Sequence, residues 1–322
     1  MRLWLGLAVS LLFLVLLAWQ FDLSNSMSQL RHANPAWLLP GLAALAADFS
    51  LRVGRWRLLL EHFNPAVRWR DAAGPFLGSF ALNNVVPLRA GDVARAFAFS
   101  RELGVESGYV TSTLLVERVL DLAALLFILL LSLVLLPADA DLAWVNLGTY
   151  ALLASLLVAV LLVLATPHWW KRLVELSGIQ DSAPGRFAIQ VFAGLEEFRG
   201  WSLWLKLISW SLLCWILEGI VFLACCLALS ITPYWVAPWF AMSVGSLGTL
   251  LPSSPGYVGT FDCFAALAFA SSGTEDAMAS SAAILVHLLL WIPVTLVGGG
   301  WLLRHWGSAL GSRVRSLRDR AT

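Results

Sequence analysis

NNVVPLRAGDVAR, Asn83 to Arg95, sets two amides, a proline, a glycine and three charges among segments apolar enough to live in lipid. The apolar stretch before it, Gly74 to Leu82, falls far short of the ~20 residues that a membrane span needs. Polar, irregular backbone at membrane depth survives only where protein buries it or where it lines a wet cavity. The stretch therefore reads as a re-entrant hairpin or broken helix, with Arg89, Asp92 and Arg95 at the mouth of a cavity.

Composition supports a membrane setting. The 322 residues are 59% hydrophobic and only 13% charged, with a mean hydropathy of +0.79, whereas soluble domains carry ~25% charge. Apolar windows recur from end to end, so residues 1–322 read as a single integral membrane domain. The longest stretch without a good span, Thr166 to Gly200, is too short for an independent catalytic domain. Cys214, Cys225, Cys226 and Cys263 sit in apolar segments without metal-type spacing and read as small hydrophobes. Arg2 and the apolar run to Trp19 look like a signal peptide, but the run is span-length and no small-x-small cleavage site follows it. A retained first helix is the expectation. No glycine-rich phosphate loop, HExxH or nucleophile elbow is present, so no cofactor, metal site or nucleic-acid partner is expected.

Taken in order, the expected spans are Leu3 to Trp19, Ala36 to Leu51, Gly108 to Leu136, Ala143 to Ala165, Leu203 to Ser230 and Ala277 to Leu303. Between them lie the first hairpin and a segment, Val93 to Leu103, that is apolar on one side and expected at the interface. A surface helix presents Phe187, Val191, Phe192, Leu195 and Phe198. A second half-length piece, Val236 to Leu251, is broken by PSSPG (Pro252 to Gly256) and returns through Tyr257 to Ala270. The Gly108 helix would reach roughly 43 Å at ~1.5 Å per residue, so its polar start, Glu117, Arg118 and Asp121, should protrude or face a wet interior. The tryptophans near span ends read as an interfacial belt.

If both broken segments return to the face they entered from and the N-terminus is cytoplasmic, all Lys and Arg except Arg31 lie on or near the cytoplasmic side. The expectation is an all-α polytopic protein of the cytoplasmic (inner) membrane, with both termini cytoplasmic. It has about six full spans plus two re-entrant hairpins in an inverted repeat. The halves are about 1–138 and 139–306, and a basic tail covers 307–322. A shift of 165 residues aligns Leu82, Pro87, Gly91, Val93 and Phe99 with Leu247, Pro252, Gly256, Val258 and Phe264. Interrupted segments at matching places in inverted halves mark secondary transporters.

The dense charged set, Asp48, Arg52, Arg89, Asp92, Arg95, Glu117, Arg118 and Asp121, supplies functional candidates, because charges at membrane depth must pair or face water. Two compatible roles are open. Arg89, Arg95 and Arg118 can grip a phosphate-bearing lipid headgroup, with Asp92, Glu117 and Asp121 positioning them or coupling to protons, beside Asn83, Asn84 and Arg52. Alternatively, the charges pin the hairpin to the long helix. Arg52, Arg55, Arg57, Arg68 and Arg70 also read as topology determinants. Asp48, Glu218 and Asp262 are candidates for proton coupling or for interhelical hydrogen bonds. His287 reads as a hydrogen-bonded core histidine. In the second hairpin, Pro255, Gly256 and Gly259 offer bare backbone to a ligand.

At PLRAGDVARAF, LLVERVLDL and LPSSPGYVGTFD the chain resembles the lysylphosphatidylglycerol synthase transmembrane family, also described as flippase-like membrane proteins. That family's Arg-x-Gly-Asp-x-x-Arg, Glu-Arg-x-x-Asp and Pro-Gly-x-Gly elements fall on Arg89, Gly91, Asp92 and Arg95; on Glu117, Arg118 and Asp121; and on Pro255, Gly256 and Gly259. The resemblance implies movement or handling of a phospholipid or a polyprenyl-phosphate-linked lipid across the cytoplasmic membrane, with an oligomer compatible. Where the family often has Gly-Gly-x-Gly followed by glutamate, this chain has Gly256-Tyr257-Val258-Gly259 and Asp262. No counterpart of the large aminoacyl-transfer domain of some members is expected, and a transporter is expected rather than a synthase. The alternatives are a membrane-embedded enzyme acting on a lipid phosphate, with Glu117 or Asp121 as base, and a non-catalytic partner of a lipid synthase or glycosyltransferase.

Overall fold

A computed structural model describes residues 28–87, 89–137, 166–251 and 254–318, with isolated positions between 11 and 16 and between 140 and 162. Most of the expected spans Leu3 to Trp19 and Ala143 to Ala165 lies outside the described residues. What is described is all-helical, with no strand.

A 3-10 turn, Pro35–Trp37, capped by the Asn34 side chain, leads into α1, Leu38–Leu60. The remaining helices are α2 (Trp69–Val85), α3 (Ala90–Val93, continued by a π turn over Ala94–Ala98), α4 (Ser107–Leu135), α5 (Pro167–Leu176), α6 (Ala183–Glu197), α7 (Trp201–Ala228), α8 (Ala237–Gly248), α9 (Thr260–Ser271) and α10 (Asp276–Arg318). Among the described residues, four stretches are long and apolar enough to cross a membrane: Pro35–Leu60, Ser107–Leu135, Trp201–Ala228 and Asp276–Trp306.

The first hairpin is built by three local choices. Pro87 forces Val86 into extended backbone (φ −108, ψ 134) and so ends α2. Arg89 then turns the chain in the left-handed region (φ 52). Gly91 lies so close beneath α2 that a Cβ there would stand 1.7 Å from the Ser79 carbonyl oxygen. The return limb therefore folds back along α2 and ends near where α2 began. Asn64 Nδ2 donates to the Leu103 carbonyl at 2.8 Å, and Val67, Leu103 and Val105 share one apolar cluster with Trp56 and Phe76. The interfacial segment expected over Val93 to Leu103 is instead partly buried, with Arg95, Ala96, Phe99 and Leu103 hidden.

The second hairpin is simpler. Helices α8 and α9, of 12 residues each, reach only ~18 Å against a hydrocarbon core of ~30 Å. They lie against each other through Gly245 on Ala265 and Gly248 on Phe264, small residues letting backbones approach. Phe240, Ala241, Met242, Ala265, Ala266 and Ala268 are completely buried, so this hairpin forms the centre of the main core.

Across the molecule α1 packs on α7, α2 on α10, and α4 on α8. Tight crossings hold these contacts: Gly41 meets Ala224, Gly54 meets Trp210, and Gly74 and Gly78 receive Trp301. Two expectations are extended. Helix α1 runs nine residues beyond Leu51, because its arginines find acids instead of ending it, and α10 continues through the basic tail to Arg318. The expected surface helix is α6, which lies against the start of α4, with Gly194 over Ser112 and Gly108 over Gln190.

Candidate functional site

The two hairpins meet tip to tip. Arg89 Nη2 donates to the Thr249 carbonyl at 3.3 Å, and its guanidinium stands 5.9 Å from the centre of the Tyr257 ring. Gly256 lies close enough to the Asn84 carbonyl that a Cβ would approach it to 3.1 Å. Asn84 Nδ2 also donates to Thr295 Oγ1 on α10 (2.8 Å), and Trp291 Nε1 points at the Asn84 carbonyl (3.4 Å). Arg89 and Tyr257 both hold positive φ, 52° and 61°. That backbone costs a non-glycine residue roughly 1–2 kcal/mol and persists only where surroundings enforce it.

Beside the tips runs a chain of ion pairs that starts on α1. Arg52 follows Asp48 by one turn. Its Nε reaches both Asp48 carboxylate oxygens (2.8 and 2.9 Å), and its Nη2 reaches Glu218 on α7 (2.7 Å). The Arg52 guanidinium also lies 4.5 Å from the centre of the Trp215 ring. Arg55 donates to Asp121 and to Ser211 Oγ, both at 2.7 Å, with Glu117 at 3.7 Å. Glu117 in turn meets Arg95 at 3.0 Å. Arg95 is almost fully buried and stands 4.7 Å from each of the Trp56 and Phe76 rings. Trp56 is itself fixed by donation to Thr113 (3.0 Å). Arg118 Nη2 closes the series on both Asp92 oxygens at 2.8 Å.

Asp92 is placed by the hairpin itself. Asn83 Oδ1 accepts the Gly91 N–H (2.8 Å) while Asn83 Nδ2 donates to Asp92 (3.2 Å). Arg118 and Asn83 thus hold the Asp92 carboxylate in place behind the turn.

These elements enclose a cavity of about 450 Å³. Arg89, Asn83 and Asn84 line it from the first tip, Gly256 and Tyr257 from the second. Arg52, Arg118, Asp121 and Glu218 come from the flanking helices, and His287 and Trp291 from α10. Apart from Ser246 and Thr249, the rest of the wall is apolar, including Phe80, Leu115, Leu122, Leu247 and Leu250.

The family profile described as the lysylphosphatidylglycerol synthase TM region matches residues 3–298. The chain belongs to this family. Among curated proteins it is similar to a glycosyltransferase, AglD, of Haloferax volcanii. The two are 28% identical over 343 aligned positions, covering 91% of this chain and 53% of that protein. The chain thus spans about half the length of the curated relative it matches.

The three family elements converge in space, though not all reach the cavity. Of the residues on which the resemblance rests, Arg89, Arg118, Asp121 and Gly256 line it. Gly91 and Asp92 build the turn behind Arg89, and Arg95 and Glu117 are paired with each other away from the lining. Pro255 opens the 3-10 turn of the second tip, and Gly259 (φ 88) precedes α9. Asp48 lies behind Arg52 and Asp262 behind His287.

Arg55, read as a topology determinant, is instead 1% exposed and shared by two acids. Arg57, Arg68 and Arg70 do sit at the partly exposed or exposed end expected for such a role. His287 is hydrogen-bonded as expected, and it also lines the cavity: Nδ1 meets Asp262 at 2.8 Å and Nε2 meets the Gly256 carbonyl at 2.9 Å. Nothing in the spacing of Asp262 and His287, 25 residues apart on different helices, signals that contact.

Proposed function

We propose that this integral membrane protein is a lipid translocase of the cytoplasmic membrane. It binds the phosphate of a lipid headgroup in the cavity between the hairpin tips while the apolar tail remains in the bilayer. The observation that carries this reading is the state of Arg89. Arg52, Arg55, Arg95 and Arg118 each have a carboxylate partner, whereas Arg89 lines the cavity with no acid partner among the described residues. Its one described hydrogen bond goes to a backbone carbonyl at the long distance of 3.3 Å. Arg118 spends only Nη2 on Asp92. Two forks thus keep donors free at one cavity, and guanidinium donors suit phosphate oxygens.

Further support comes from the arrangement of helices. If α1, the first hairpin and α4 correspond to α7, the second hairpin and α10, the contacts of α2 with α10 and of α8 with α4 exchange under one two-fold operation, and α1 with α7 lies on it. That is the pattern of an inverted repeat with its site between interrupted helices. Six full spans, two re-entrant hairpins and cytoplasmic termini complete this reading, with the halves at about 1–138 and 139–306. Phospholipids and polyprenyl-phosphate-linked lipids both carry the required phosphate.

A second reading has one observation behind it. The similar protein is named a glycosyltransferase, and nearly half of its length lies outside the match. On that reading the membrane unit presents a lipid phosphate to a separate enzymatic partner. Chemistry on the lipid by Glu117 is disfavoured, since that carboxylate is held between Arg55 and Arg95.

The test is headgroup accessibility of a fluorescent phosphatidic acid in liposomes containing the purified protein, with Arg89→Ala and Arg118→Ala beside the wild type. Loss of a charged hydrogen bond of about 1.5–3 kcal/mol should slow transbilayer movement by roughly tenfold or more at subsaturating lipid. Unchanged movement in both variants would remove the arginines, and with them this mechanism. Movement that requires an added enzyme would favour the second reading.

A further inference from the structure

The imidazole of His287 has an acceptor at each end. Nε2 faces the Gly256 carbonyl, which can only accept, so it must carry a hydrogen to bond. Nδ1 faces Asp262 Oδ1, and the other Asp262 oxygen already accepts the Gly259 N–H at 2.9 Å. Both contacts are made together only when the Asp262–His287 unit holds one proton more than a carboxylate and a neutral imidazole. The unit is then a carboxylate with an imidazolium, or a carboxylic acid with an imidazole. Its net charge is zero in either form.

Removing that proton breaks a contact whichever tautomer follows. With hydrogen on Nδ1, the Nε2 lone pair faces the lone pairs of the Gly256 carbonyl. With hydrogen on Nε2, the Nδ1 lone pair faces a carboxylate. The first is the better outcome, because the bond to a charged acceptor is the stronger one, so the Gly256 contact is the one released. Gly256 belongs to the tip whose next residue, Tyr257, is held at φ 61, a conformation that relaxes when the restraint goes.

We propose that Asp262 and His287 form a proton-binding site that locks the tip of the second hairpin against α10, and that loss of the proton to cavity water frees the tip. Other charged or titratable groups face the same space. They are Glu218 from α7, Arg52 from α1 with Asp48 behind it, Arg118 and Asp121 from α4, Arg89 and Tyr257 from the tips, and Cys263 beside Asp262. Among the described residues only Asp262 bonds the ring as an ionisable partner. This deepens the translocase reading by giving it a proton to couple to, but the lock itself does not require that the cargo be a lipid.

The test reads the tip in purified protein without any lipid cargo. Val258→Cys places a thiol on the exposed tip residue, and Ser177→Cys, on a remote exposed turn, provides the reference; the native cysteines are buried. The ratio of maleimide labelling at the two positions cancels the thiol's own pH dependence. It should rise by about tenfold between about pH 5 and about pH 9, a range that brackets imidazole titration. Asp262→Asn supplies a neutral donor to Nδ1 while its oxygen still accepts from Gly259, so it should hold the ratio low at every pH. His287→Ala, if it elutes as a monodisperse protein, should hold it high. A wild-type ratio that stays flat, or an Asp262→Asn profile that follows the wild type, overturns the proposal. Labelling that behaves as expected alongside absent phosphatidic acid movement would leave the lock standing and reject only the cargo.

Discussion

Replacing Gly91 by alanine asks the first hairpin to open. A Cβ at this position would lie 1.7 Å from the Ser79 carbonyl oxygen, 2.6 Å from its carbon and 2.8 Å from Asn83 Oδ1. The closest tolerable carbon-to-oxygen contact is about 3.3 Å, so the limb must withdraw by about 1.6 Å. Neither obstacle can swing aside, since both Ser79 atoms are backbone inside α2. Withdrawal of that size stretches the 2.8 Å Gly91 N–H to Asn83 bond beyond use. Asn83 is only 8% exposed, and a buried polar group left unsatisfied costs about 1–3 kcal/mol. Overpacking adds about 1–3 kcal/mol. The sum, about 4 kcal/mol, should lower the unfolding midpoint in detergent by about 8 °C, taking ~2 °C per kcal/mol for a large domain. The assay is monomer recovery on size-exclusion chromatography after a temperature series. Gly299→Ala is the control, because a Cβ there meets nothing within 4 Å. A Gly91→Ala protein that melts within about 2 °C of wild type would mean that the return limb does not lie against α2 as described, a result well inside the expected drop.

Two further outcomes follow from the ion-pair chain and the hairpin's closure. Arg52→Met leaves Asp48 and Glu218 without their shared cation and should destabilise by about 3–5 kcal/mol. Adding Glu218→Gln should recover part of that, and equal melting of the single and double variants would show that Glu218 does not depend on Arg52. Arg70→Cys and Arg101→Cys, both exposed near the two ends of the first hairpin, should react with an impermeant maleimide from the same face of sealed vesicles. Labelling from opposite faces would turn the hairpin into a full crossing.

Much of the first hairpin was legible because it is decided locally. Pro87 ends a helix by its own sterics, and Gly91 marks the place where the return limb's backbone touches α2. The second hairpin was equally open, since two runs too short to span flank a proline and glycine cluster. Pairing was not legible. Arg55, Glu117 and Asp121 lie on two helices whose rotation about their axes is set by packing alone, so Arg55 looked like its surface neighbours Arg57 and Arg68. The same holds for Asp262 and His287, whose contact depends on how deep α9 sits beside α10. Arg95 shows the limit of reading chemistry from charge: it stands in the arginine motif, yet Trp56, Phe76 and Glu117 enclose it. The return limb misled for a related reason, because an apolar stripe suits burial under a helix as well as it suits a lipid surface.

Main-chain carbonyls take part in the tip contact at two points: the Thr249 carbonyl receives Arg89, and the Asn84 carbonyl lies against Gly256. Contacts of that kind tolerate changes of side chain better than changes of loop length. One residue gained or lost around Pro87, or around Pro252, would carry a finger past its counterpart by about 3 Å, so divergence should spare the length of both turns while their composition drifts.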